Sequence, residues 1–202
     1  RGWVGVPLPK ADVFEEADRL LYGTLMRLRS RLLRAETSVR LVVTPESMAI
    51  AEARRALTDL ALFEIPSDAV VMNRMLPEAA LREDFFGEWG RTQASRRREV
   101  EETFAPMATL SAPLAEDEVR GVEMLAEHGA AIFAGRDPAA QLGRRPGLRF
   151  ERGGLRLPVS GHEASSLEVT RIDGDLVVGV AGRRRRIPLP AGLAALEVQR
   201  VA

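Results

Sequence analysis

Apolar residues recur at helical spacing from Ala11 to Ala35, at Val13, Phe14, Ala17, Leu20, Leu21, Leu25, Leu28 and Leu32. Acidic Asp12, Glu15 and Glu16 come early and Arg27, Arg29, Arg31 and Arg34 late, the order that a helix dipole favours, so the stretch predicts one long amphipathic helix. The period then changes. SVRLVVT is a β-branched run ending in Thr44-Pro45-Glu46, and SMAIAEARRALTDLALF returns to helical spacing. Thr44 is read as the N-cap and Pro45 as the first helical residue, where a missing N–H costs nothing. DAVVMNRML is a short, nearly unbroken apolar run, the pattern of a strand covered on both faces of a parallel sheet. A helix from about Ala79 to Phe104, rich in i,i+4 charge pairs, a strand MATLSA and a helix from about Asp117 to Phe133 complete the series. Strands alternating with helices predict an α/β fold, the second half of a doubly wound parallel sheet with crossover helices.

After Gly135 the stretch RDPAAQLGRRPG has prolines and glycines but no period. The domain reading is therefore residues 1–135 as the α/β part, 136–147 as a linker and 148–202 as a second domain. From residue 148 the period is two, in LRLPV, SLEVTRI, DLVVGVA, RRRRIPLP and ALEVQRV, with turn signals at Gly153-Gly154 and Asp173-Gly174-Asp175. This predicts a small antiparallel β-sandwich. So short a domain buries little core alone and leans on the α/β part or on a partner.

Composition narrows the chemistry. The 202 residues are 46% hydrophobic with 29 basic and 29 acidic side chains, so no summed field draws the chain to nucleic acid or anionic lipid. There is no cysteine, and the two histidines, His128 and His162, lie far apart, which argues against a zinc site. No apolar stretch is long enough to span a bilayer, so the expectation is a cytoplasmic protein without membrane insertion. Lys10 is the sole lysine, and the arginine-rich remainder reads as coding bias. A phosphate-binding loop GxxxxGK[ST] needs a lysine beside glycines. Lys10 stands in PLPKAD, so this chain has no such loop. Arg1 opens a Gly/Pro-textured start, read as a fragment entered midway through a loop.

Several phrases together resemble the ArsA-type ATPases, the family of arsenical pump and tail-anchored-protein targeting ATPases, in its bacterial, particularly actinobacterial, branch. TSVRLVVTPESMAIAEARRALTDL looks like the family's strand–Pro–Glu–helix segment, AVVMNRMLP like its Val-Val-x-Asn-Arg strand end, and PLAEDEVRGVEML like the loop and helix after the last sheet strand. LRLPV and GDLVVGVAGRRRRIPLP look like the small heat-shock (alpha-crystallin-like) domain appended in this branch. The order of these phrases is the family's over nearly the whole chain.

The resemblance implies a homodimer, or a pair with a family paralogue, that closes on two nucleotides and couples hydrolysis of ATP with Mg2+ to handling a protein or anion cargo. The fold it implies is P-loop NTPase-like without the P-loop, for the phosphate loop, switch aspartates and magnesium site would all precede Arg1. This segment is therefore not expected to hydrolyse ATP alone, and no catalytic or metal-binding residue is assigned. What the resemblance carries onto the chain is the adenine side of the pocket. Asn73 matches the amide that reads the adenine edge, a group that both donates and accepts, and Pro113, Leu114 and Ala115 match the loop against the adenine face. The plainer reading is that Asn73 caps a turn. Glu52 and Arg55 match a recurring Glu-x-x-Arg but also suit a surface pair. Glu118 supports the loop or favours a helix N-terminus, and Arg183 to Arg186 form an anion patch or a solvated strand with alternate arginines outward. A non-catalytic binding or dimerisation module is the alternative function, and client binding by the β domain a third. The family's arsenite sites use cysteines, which argues against arsenical transport by this part. The six methionines are scattered as in a core, not a cargo groove.

Overall fold

The computed structural model describes residues 11–143, 149–151, 154–156, 167–180, 182–189 and 192–193. They fall in two compact units, residues 1–37 and 38–202. The first unit is built on α1 (Ala11–Leu32), whose last turn carries Arg29 and Arg31. It ends in a turn in which the Thr37 hydroxyl donates to the Arg31 carbonyl at 2.7 Å.

The second unit opens with three parallel strands in the order β1 (Val39–Val43), β2 (Ser67–Met75), β3 (Ala108–Pro113). Between them run α2 (Ser47–Leu62), then α3 (Glu78–Leu81), a 3-10 turn (Asp84–Phe86) and α4 (Gly87–Thr103). Leu41, Val43, Val70 and Met72 face Ile50, Ala53 and Leu57 of α2 and Val100 and Phe104 at the end of α4. Phe104 and Leu57 are essentially inaccessible to solvent, and burial of side chains this large contributes about 1.5–3 kcal/mol each. Leu110 and Ala112 are also buried but lie outside that cluster, alternating with Thr109 and Ser111. They occupy the opposite face, where α5 (Gly121–Phe133) packs on β3. That face is incompletely covered, for Val42 on β1 is 64% exposed.

Three boundaries differ from the sequence reading. The N-cap of α2 is Glu46, not Thr44, because the Thr44 carbonyl is taken in a tight turn by the Glu46 N–H at 2.7 Å. The expected helix 79–104 is broken at Glu83, whose backbone is extended (ψ 132°). This lets α3 fold back so that Leu81 lies where a side chain on Gly90 would sit, its Cδ2 3.1 Å from that position. A tertiary contact overrides local propensity there. Helix α5 begins only at Gly121 (φ 78°), after Asp117 has turned its carboxylate onto the Glu118 N–H at 2.7 Å.

The β part is antiparallel. Strands β4 (Arg149–Glu151) and β5 (Gly154–Arg156) pair, and β6 (Leu167–Ile172), β7 (Asp175–Val180) and β8 (Arg183–Ile187) form a separate three-stranded sheet. Asp173 and Gly174, both at positive φ, make the two-residue turn between β6 and β7, the geometry whose twist matches that of the strands it joins. Leu176, Val178, Val180 and Ile187 share one face and enclose Leu62 from the end of α2. The β sheet therefore leans on the α/β part. The sequence-predicted strand at ALEVQRV and most of LRLPV lie outside the described residues.

Candidate functional site

All three parallel strands end on the same side, so Thr44-Pro45-Glu46, the turn after β2 and the loop after β3 share the carboxyl edge of the sheet, where ligands bind in open α/β folds. β2 ends irregularly: its register with β3 shifts between Met72 and Met75, and Met75 then pairs with Pro113. Asn73 and Arg74 occupy the shift, with Arg74 in the left-handed region at φ 59°. The Asn73 side-chain oxygen accepts the Arg74 N–H at 2.9 Å. Asn73 does steady a turn, therefore, while its Nδ2 has no protein partner among the described residues and the side chain is only half-buried. Across the edge, the Leu114 N–H donates to the Met75 carbonyl at 2.7 Å. This bond, with the Met75–Pro113 pairing, sets the end of β2 beside the loop after β3. Leu114 is 39% exposed, and Pro113 and Ala115 are half-buried, forming an apolar ledge beside a free amide.

The remaining sequence candidates form ion pairs. Glu52 and Arg55 form an exposed i,i+3 ion pair on α2, and Glu118 pairs with Arg120 in the loop before α5, outside the first helical turn. In the arginine run only Arg185 is little exposed, 2.9 Å from Glu64, while exposed Arg183 lies 3.3 Å from Asp59, both carboxylates belonging to the α/β part. Outward Arg184 and Arg186 pair with Glu168 and Asp175. Each of the four guanidiniums thus has a carboxylate within ion-pair distance. Among the described residues no group of three His, Asp or Glu side chains could hold a metal ion, and no helix is long and apolar enough to cross a membrane.

The opposite, amino edge of the sheet holds an arrangement that sequence reasoning missed. The Asp68 side chain is fully buried, and it accepts from Arg40 Nε at 3.3 Å, Arg40 Nη2 at 3.2 Å and the Leu142 N–H at 3.0 Å. Arg40 also donates to the Pro138 and Ala140 carbonyls, both at 2.7 Å, and lies 5.5 Å from the centre of the Phe133 ring. Burial alone would raise the Asp68 pKa. The Arg40 hydrogen bonds, the Leu142 N–H, the Arg40 charge and the Ser38 hydroxyl outweigh it and hold the carboxyl below its usual range. Residues 136–143 are thus strapped to the sheet. The only sequence signal was an aspartate opening the apolar run of β2.

A parallel sheet with helices on both faces and an appended antiparallel sheet define an α/β protein with a small β domain. The family model for anion-transporting ATPases matches residues 12–134, and the model for an HSP20-like domain found in ArsA matches residues 153–202. The chain belongs to the ArsA anion-transporting ATPase family. It is similar to a protein of Aquifex aeolicus named "Putative arsenical pump-driving ATPase 1", 28% identical over 203 residues, 96% of this chain and 51% of the relative. A Chlorobaculum tepidum protein of the same designation without the number is 28% identical over 195 residues, 94% of this chain and 48% of the relative. A third, from Halobacterium salinarum, is 36% identical over 104 residues, 51% of this chain and 16% of the relative. The chain spans about half the length of the first two.

Proposed function

We propose that this chain supplies the base-binding side of the nucleotide pocket of an ATPase that couples ATP binding and hydrolysis to the handling of a cargo or anion. The observation that carries the reading is the Leu114 N–H to Met75 carbonyl bond, which sets the Pro113–Ala115 ledge beside the strand end that carries Asn73. A half-buried carboxamide with a spare donor beside an apolar wall suits a flat heteroaromatic base, which presents hydrogen-bonding edges and stacking faces. The residues described fit adenine; the phosphates and Mg2+, which would supply the hydrolytic chemistry, are not assigned to any of them. Exposed Val42 and an outer β1 edge that pairs with no strand among the described residues support the further reading that β1 continues into a larger sheet. The homodimer or paralogue pairing is part of the same proposal.

The test is ADP affinity of the full-length protein, measured by calorimetry. Asn73→Ala removes one neutral hydrogen bond to the base and should weaken ADP about 5–10-fold, while leaving inorganic pyrophosphate affinity as it was. Unchanged ADP affinity would exclude Asn73 from the base site and favour a binding or dimerisation module.

A further inference from the structure

We propose that Gln93 is a positioning residue for base recognition, acting from α4 on the turn that carries Asn73; the proposal rests on the nucleotide reading above. The Leu76 N–H donates to Gln93 Oε1 at 2.8 Å, and Gln93 Nε2 donates to the Leu76 carbonyl at 3.2 Å. One carboxamide thus grips both polar groups of a single residue seventeen positions earlier in the chain. Leu76 directly follows Met75, whose carbonyl is held by the Leu114 N–H. Consecutive residues are therefore tied to α4 on one side and to the base ledge on the other.

The turn needs such holding. Arg74 at φ 59° is in a region unfavourable to a non-glycine residue, and such conformations persist only where neighbours over-determine them. The Asn73 side chain makes one local bond to the Arg74 N–H, which steadies the turn but does not place it in space. Placement comes from α4. Gln93, Val100 and Phe104 are seven and eleven residues apart, on one face of the helix and its continuation, and both Val100 and Phe104 are completely buried in the core. The carboxamide therefore stands on a rigid support.

Only an amide both donates and accepts with this geometry. Glutamate would keep the acceptor for the Leu76 N–H but set an oxygen against the Leu76 carbonyl, and methionine would lose both bonds at similar volume. The expected consequence falls on the base alone, since the turn bears Asn73.

The experiment measures ADP, GDP and pyrophosphate affinities and thermal midpoint for the full-length wild type, Asn73→Ala, Gln93→Met and Gln93→Glu. Gln93→Met should weaken ADP about 5–10-fold and narrow the ADP-over-GDP preference by a similar factor, with pyrophosphate unchanged; Gln93→Glu should fall between it and wild type. A Gln93→Met protein that is less stable but keeps its base preference reduces Gln93 to a structural clamp and overturns the proposal. If Gln93→Met does not fold, Gln93→Glu decides in the same way. An Asn73→Ala variant with narrowed preference beside an unaltered Gln93 variant sinks the Gln93 role alone. Absence of base preference in the wild type, or its persistence in Asn73→Ala, removes the nucleotide reading and this proposal together.

Discussion

Replacing Arg40 with alanine takes away two hydrogen bonds from a carboxylate with no access to water. It leaves Asp68 with the Leu142 N–H at 3.0 Å as its best-defined remaining partner. The Pro138 and Ala140 carbonyls also lose their donors, but these lie at the surface and can be hydrated. The uncompensated buried charge dominates, and breaking such a pair from one side costs about 3–5 kcal/mol, a large part of the roughly 5–15 kcal/mol that holds a domain folded. Urea denaturation followed by circular dichroism should show the midpoint falling by about 1–2 M for a slope near 2–3 kcal/mol/M. Adding Asp68→Ala to Arg40→Ala should recover part of the loss, because it removes the stranded charge. The pH dependence has a definite sign. The folded Asp68 pKa is depressed, so its contribution is complete above the unfolded-state value of about 3.9 and is lost as pH falls through the folded one. The gap between wild type and Arg40→Ala should therefore hold from neutrality to about pH 4 and shrink below it. A loss below about 1 kcal/mol at neutral pH, the size expected of an exposed pair, would refute the strap as described.

Two further substitutions test how the parts are joined. Leu62→Ala should cost about 2–5 kcal/mol and specifically raise hydrogen exchange in β6, β7 and β8, since Leu62 fills their inner face; uniform exchange across the chain would mean that the β sheet does not depend on that contact. A Cβ on Gly143 would stand 2.7 Å from the Asp68 carbonyl oxygen and 3.1 Å from the Ala108 nitrogen. Gly143→Ala should therefore lower the thermal midpoint, whereas Gly129→Ala within α5, where nothing lies within 4 Å, should add about 0.5–1 kcal/mol. Equal effects at the two glycines would contradict the close approach at Gly143.

The sequence by itself determined the element types, because hydrophobic period is a local property. The unbroken apolar run of β2, the helical spacing of α2 and the alternation of β7 each need only neighbouring residues to be read. Family-like phrases likewise named Asn73 and Pro113, since a strand end and its loop are contiguous. Tertiary structure decided what depends on distant partners. The break at Glu83 goes with Leu81 meeting Gly90, and the pairing of Arg183 and Arg185 with Asp59 and Glu64 follows from where α2 ends. The pairing of Arg40 with Asp68, twenty-eight residues apart, and of Gln93 with Leu76, seventeen apart, gave no local signal. A charged or amide side chain acquires its role only when folding removes water and brings a partner within about 3 Å. That cost and its compensation exist nowhere in the unfolded chain.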